Sequence, residues 1–336
     1  MVPPVTVRKK NDGLELGGIY PGEHKKFTRT VHAWHDDDVN FYPDEEELYD
    51  NLPRLIRESL LLGHRPPEGT LAADATIITT GSCFAVNLRK HLARAGVAAL
   101  SIHVPTGLNN TFAVLDFLSW CVTGSQTGRG FRYDRTEDGA IREWTPVEER
   151  ERYLEAIRDA GGFVVTLGLA EVWEDRESGG VFWRGVPEEI FDAGRHVFRL
   201  STVEENEKNL VEIVEVIRSV CPTQPIVFTL SPVPLKATFR DISCVSADCV
   251  SKSTLRVAID RVAGRGLDNV YYWPSFEVVR WIGPALKQRM YGIPNMRHVK
   301  GNVVAAILDA FIDSFWTPEG AAELRRRAAA DASEAA

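Results

Sequence analysis

Five short runs of β-branched and apolar residues recur along the chain, and residues at helical spacing follow them. The runs are TIITT at 76–80, VAALSIHV at 97–104, FVVTL at 163–167, IVFTL at 226–230 and NVYYW at 269–273. A short apolar run without polar alternation reads as a strand buried on both faces. The segments between them change period. Phe84, Leu88 and Leu92 share one helical face, and Gly96 supplies a stop. FAVLDFLSWC, PVEERERYLEAIRDAGG and SKSTLRVAIDRVAG read as further helices. Thr202 and Glu205 form a capping-box pattern ahead of Leu210, Ile213, Val214 and Ile217. A last helix over about 301–316 buries Val304, Ile307, Phe311 and Phe315. Strands alternating with helices predict an α/β fold, with a mainly parallel sheet covered on both faces. Ligands in such folds bind beyond the carboxyl ends of the strands.

The bulk numbers exclude several classes. The chain has 336 residues, 44% hydrophobic and 26% charged, with a formal net charge of −8. That acidic balance argues against a nucleic-acid-binding surface, which needs a basic footprint. No run reaches the apolar length of a bilayer span, and MVPPVTVRKKNDG lacks the apolar core of a signal peptide, so a soluble cytoplasmic protein with no membrane partner is expected. Five scattered cysteines, 83, 121, 221, 244 and 249, read as free thiols. Cys244 and Cys249 lack a second ligand pair, so no zinc site is expected, and HDDD at 35–38 reads as a solvated acidic loop. No phosphate-loop or G-x-G-x-x-G pattern appears, so no nucleotide cofactor is expected.

Three regions are predicted. Residues 1–70 form an N-terminal segment wrapping the main domain, 71–318 the domain itself, and 319–336 a C-terminal tail read as a loose helix or disordered. Insertions near 123–150 and 174–201 are too long for ordinary connections, and at least one is expected to shape the substrate pocket. The carboxyl-end segments are Gly81-Ser82-Cys83, PTGLNN at 105–110, GLAEVW at 168–173, SPVPL at 231–235 and PSFEV at 274–278. Strand, tight glycine turn, small nucleophilic side chain, helix is how many hydrolases present a nucleophile. Ser82 and Cys83 both stand at that turn. A thiol near a helix N-terminus reaches the thiolate close to neutral pH, whereas a serine needs a base throughout.

The segments TTGSCFAVNLRKHL, GLNNTFA, VVTLGLAEVWED, TLSPVPLKATF, SKSTLR, PSFEVV and RHV, in this order from Thr76 to Trp316, resemble the GSCFA family of the SGNH hydrolase-like superfamily. The resemblance implies a three-layer α/β/α sandwich with a flavodoxin-like sheet, and esterase or acyl-transfer chemistry without a cofactor or metal. In SGNH enzymes a Gly-Asp-Ser block carries the nucleophile. GSCFA laid on it puts Cys83 at the nucleophile position and Ser82 at the Asp position. The late D-x-x-H block corresponds to NMRH, which makes His298 the base and Asn295 its orienting partner. An Asn suffices to orient a Cys–His pair, as in papain-like proteases. Gly107, with Asn109 and Asn110 nearby, matches the second block. Gly168 matches the third, whose Asn and Asp are here Ala170 and Glu171. Ser231 stands at the next strand end. The leading expectation is a Cys-dependent acyl hydrolase or acyltransferase acting on a small-molecule or carrier-bound acyl substrate. The alternatives are a Ser82-dependent esterase and an inactive module that binds a glycan or metabolite. Glu171 reads three ways: a buried acid or base, a substrate-binding carboxylate, or a partner for a loop arginine. Trp173 reads as a packed wall.

Overall fold

In the computed structural model the described residues are 6–10, 13–19, 26–31, 52–66, 68–81, 83–101, 108–125, 130–136, 138–143, 149–283, 290–292 and 299–334. HDDD at 35–38 lies outside them. The chain divides into two compact units, 1–51 and 52–336. The first holds β1 (Thr6–Lys10), β2 (Gly13–Ile19) and β3 (Lys26–Val31), an antiparallel sheet in which Val7 pairs with Leu16 and Leu14 with Val31.

The second unit begins with α1 (Leu52–Leu55), which runs into a π-helical turn at Ile56–Leu60. There follow β4 (Ile77–Gly81), α2 (Cys83–Arg94), β5 (Ala99–Ser101), α3 (Thr111–Thr123), β6 (Gly130–Phe131), β7 (Tyr133–Arg135), β8 (Ile141–Glu143) and α4 (Arg150–Arg158). Next come β9 (Gly162–Leu167), β10 (Glu171–Asp175), β11 (Val181–Phe182), β12 (His196–Leu200), α5 (Val203–Arg218), β13 (Ile226–Leu230), α6 (Cys244–Ala263) and β14 (Val270–Trp273). The chain closes with α7 (Ser275–Glu277), α8 (Gly301–Phe315) and α9 (Pro318–Glu334).

Five strands form the central sheet in the order β14-β13-β9-β4-β5, all parallel. In chain order this is 2-1-3-4-5, the flavodoxin-like arrangement, and its direction reverses between β4 and β9. Parallel strands covered on both faces must be apolar throughout. Ile77, Ile78, Phe163, Val165, Ile226 and Phe228 are accordingly buried. One face packs Phe163, Val165 and Phe228 against Phe117 of α3, Ile213 of α5 and Leu255 of α6. The other meets α8, where the Trp273 ring lies 4.9 Å from Phe311 and Tyr271 5.5 Å from Phe315. The three-layer α/β expectation is met.

Local chemistry explains the helix boundaries. The Asn110 side chain accepts from the Ala113 N–H and starts α3, and Gly124 ends it at φ +77°. The expected capping box opens α5, with both Thr202–Glu205 hydrogen bonds present. The helix expected from Ser251 begins at Cys244 instead, because Ser243 caps it and its buried side continues toward the N-terminus through Asp248 and Ala247. The C-terminal residues form α9, which buries Ala321 and Leu324. The two insertions meet in a second sheet, β12-β10-β11-β6, in which β6 from the first pairs in parallel with β11 from the second. Among the described residues, no helix is long and apolar enough to cross a membrane.

Gly81 ends β4 beside Thr166 of β9. Its φ is +117°, and a Cβ there would lie 1.9 Å from the Thr166 carbonyl oxygen. Only glycine fits both the dihedral and the space. Gly81→Ala should lower unfolding free energy by about 3 kcal/mol, read as a fall in the urea midpoint at unchanged m-value.

Candidate active site at the carboxyl rim of the sheet

The turn at the end of β4 leads directly into α2, whose first residue is Cys83. β4 and β9 flank the point of reversal, so this helix start faces the crevice in which doubly wound folds hold ligands. Beside it runs the loop Gly168-Leu169-Ala170 after β9, then the loop from Ser231 after β13. The Ser231 N–H donates to the Leu167 carbonyl at 2.8 Å, which ties the two loops together, and its Oγ accepts from the Val233 N–H at 3.3 Å.

Cys83, Gly168 and Ser231 therefore stand at the same end of adjacent strands. Ser82, Gly107, Asn295 and His298 lie outside the described residues. Asn109 lies against the rim: its carbonyl accepts from the N–H groups of Gly168 and Leu169 at 2.9 and 3.0 Å. The Asn110 amide is engaged in structure, its oxygen capping α3 and its nitrogen donating to the Trp183 carbonyl at 3.2 Å.

These bonds engage the backbone amides of the third block. The amides of Gly168 and Leu169 are spent on Asn109. The Ala170 N–H donates to Ser251 Oγ at 2.9 Å. None of the three points a spare N–H at a developing charge. The physical reason is burial: Gly168 and Ala170 are covered, and a buried amide must find a protein acceptor.

Of the three readings of Glu171, the structure gives a partner for a loop arginine. Glu171 begins β10, and its side chain is 3% exposed; Oε1 takes Arg240 Nη1 at 3.3 Å, while Oε2 is buried without a hydrogen-bond partner. Trp173 is indeed a wall. It pairs with Phe198 across β10–β12, and its ring lies 5.5, 5.2 and 5.1 Å from Phe191, Phe198 and Phe239. Phe239 and Arg240 come from the loop after Ser231, so one loop lays both groups on the ribbon that leaves the rim. The far end of the ribbon is pinned by Asp175, which accepts two hydrogen bonds from Arg195 at 2.7 and 2.6 Å. Those bonds hold the Asp175 carboxyl far below the usual carboxylate range, against its burial.

Sequence reasoning missed three side chains on α6. Asp248, Ser251 and Lys252 are all buried. Asp248 Oδ1 accepts from the Leu235 N–H at 2.9 Å, and Oδ2 pairs with Arg280. Ser251 takes the Ala170 amide, and Lys252 Nζ donates to the Gly168 carbonyl at 2.8 Å. The helix thus latches both crevice loops. A signal was available: 248, 251 and 252 continue toward the N-terminus the stripe of Leu255, Ala258, Ile259 and Val262. Polar residues inside an otherwise buried stripe need partners from another element.

The other thiols differ in setting. Burial pushes the Cys121 and Cys221 thiols up, Cys121 far more strongly. Cys249 is exposed. His91, expected on the outer side of its helix, is half-buried, and burial lowers its pKa. Among the described residues, no group of three His, Cys, Asp or Glu stands close enough to hold a metal.

The family model for the GSCFA family matches residues 76–311, and the chain belongs to that family. No curated protein matches the sequence. Among solved structures, it is similar to the salicylyl-acyltransferase SsfX3 from a tetracycline biosynthetic pathway. The identity is 15% and the TM-score 0.36, and the match covers 73% of this chain and 55% of that one. The chain thus spans about half the length of that enzyme.

Two measurements check the anchoring of the rim. Arg240→Met leaves a buried carboxylate without its cation and should cost about 2 kcal/mol. Adding Glu171→Gln should recover much of that in a double-mutant cycle; simple additivity would show the pair to be uncoupled. Asp175 has its folded pKa depressed, so its contribution to stability is complete above the unfolded value of about 3.9 and fades as pH falls below it. Asp175→Asn should therefore unfold more easily at neutral pH yet lose less than the wild type on acidification, by urea titration at each pH.

Proposed function

We propose that the protein is an acyl hydrolase or acyltransferase that works through an acyl-thioenzyme on Cys83. The observation that carries this reading is the helix opening at Cys83 immediately after the Gly81 turn, at the reversal point of the sheet. A helix N-terminus favours negative charge on a group placed there. Membership of the family supports the same block assignment.

The chemistry runs in two halves. The Cys83 thiolate attacks the acyl carbon of an ester, thioester or activated acyl group. The tetrahedral intermediate collapses with cleavage of the bond to the leaving group, which takes its proton from His298. Water, an alcohol or an amine then gives a proton to His298 and attacks the thioester; the S–C bond breaks and the thiolate returns. Asn295 orients the imidazole. With the third-block amides engaged, the oxyanion falls to the N–H groups that open α2, assisted by Gly107 and the Asn109 amide. The substrate is a small molecule or a carrier-bound acyl group.

One observation favours a second reading, a binding module of the same fold. The rim loop that other SGNH enzymes use for the oxyanion spends its amides internally here. Intact-mass spectrometry with a panel of p-nitrophenyl esters and acyl thioesters separates the readings. Acyl enzyme should accumulate in the wild type and in Ser82→Ala and vanish in Cys83→Ala. An adduct that survives Cys83→Ala and disappears in Ser82→Ala would transfer the role to Ser82. No adduct in any of the three would favour the binding module.

A further inference from the structure

We propose that Arg240 and the aromatic surface beside it form a ligand-reading subsite of the crevice, one that takes an apolar acyl compound carrying an anionic oxygen group, a carboxylate or a phosphate. The inference rests on the acyl-transfer reading and names the class of acyl compound. Glu171 and Trp173 stand two residues apart on β10 and so share one face of the ribbon. Phe239 and Arg240, consecutive in the loop after β13, lie on that face: Arg240 against Glu171, and Phe239 against Trp173 and Phe198. Both elements leave the carboxyl rim of the sheet, where doubly wound folds hold ligands.

The Arg240 guanidinium is underused. Its hydrogen bond from Nη1 to Glu171 Oε1 is 3.3 Å long, and among the described residues its side chain makes no other. Charge-assisted bonds of a guanidinium are typically about 2.7–2.9 Å long and often come in pairs. Two other arginines of the ribbon follow that pattern. Arg195 donates to Asp175 at 2.7 and 2.6 Å, and Arg199 donates to Glu205 at 2.8 and 2.7 Å and pairs with Glu174. The Glu171 side chain is 3% exposed and that of Arg240 28%, so the carboxylate lies inside and the cation reaches the surface. The buried carboxylate thus holds Arg240 at the rim. The remaining N–H groups form a fork for acceptor oxygens arriving from solvent.

The neighbouring surface is apolar and open. Phe239 is 73% exposed although its ring lies 5.1 Å from both Trp173 and Phe198. Phe191, also against Trp173, is 46% exposed. Ile242 and Val245 continue the exposed apolar run along the same loop into α6. Exposed apolar residues scattered singly are ordinary, whereas a cluster bordering a ligand crevice marks a binding surface. An apolar group laid on Phe239 brings its anionic substituent to the next residue, Arg240. Lys236 and Asp241 of the same loop are exposed and opposite in charge. Solvent screens those two, while Arg240, mostly covered, is screened less and sets the sign of the subsite.

The test is equilibrium binding to the full chain by isothermal titration calorimetry, with three probes that share one apolar body: 4-phenylbutyrate, 3-phenylpropyl phosphate and the neutral 4-phenylbutyramide. At least one anion should bind about tenfold more tightly than the amide, and the tighter anion identifies the group that Arg240 reads. Arg240→Met combined with Glu171→Gln removes the cation without stranding a buried carboxylate, and should erase the preference. Phe239→Ser should weaken all three probes by about tenfold and leave their ratios unchanged. Equal affinities for the three probes, or no binding of any, overturn the inference. A preference that survives the loss of Arg240 overturns it too, as does unaltered binding to Phe239→Ser. None of the probes is an activated acyl donor, so these outcomes do not depend on acyl-enzyme formation at Cys83. Intact-mass spectrometry judges that reading separately.

Discussion

The Thr166 carbonyl oxygen occupies the space where a Cβ on residue 81 would lie, and the architecture of the candidate site depends on that contact. Because residue 81 is glycine, β4 runs flush against β9 to its last residue and then turns at once into α2. Any side chain there would push the strands apart or move the helix start away from the crevice. The turn is therefore fixed by sterics before chemistry enters. The position at which it ends, the first residue of α2, is where backbone N–H groups without helical partners collect.

Around that turn the structure uses burial to hold its loops. The chain leaving β9 has its amides bound by Asn109 and Ser251 and a carbonyl bound by Lys252. The chain leaving β13 is held through the Leu235 amide by Asp248. Both sets of bonds come largely from one face of α6, a helix that otherwise serves the apolar core. Gly168, Ala170, Leu235, Asp248, Ser251 and Lys252 are buried, so a bond broken among them would return its cost of desolvation. The arrangement also leaves the backbone amides of Gly168, Leu169 and Ala170 engaged within the protein.

Much of the fold was legible because its signals are local. Strands buried on both faces announce themselves as apolar runs, as in FVVTL and IVFTL, and caps such as Thr202 with Glu205 act within four residues. The partnership of the two insertions was not legible. β6 and β11 are each two residues long, and nothing in so short a run reveals a mate some fifty residues away. Glu171 illustrates the same limit at the site. Its neighbours in sequence left three roles open, and the partner it has, Arg240, is brought across by a different loop. The latch on α6 lay between these cases: polar residues within its apolar stripe signalled a need for partners without saying which.

The sequence by itself determined the class of fold, the turn at Gly81 and the position of Cys83 at the head of a helix. Each follows from side-chain branching, periodicity or the absence of a Cβ, properties a residue carries wherever it is placed. Only the tertiary structure decided which charges meet at the rim. Arg240 on Glu171, Arg280 on Asp248 and Lys252 on Gly168 join residues far apart in the chain, and charge carries no directional code in sequence. Their pairing is selected when the core excludes water and leaves each buried charge with the partners that the packing brings within reach.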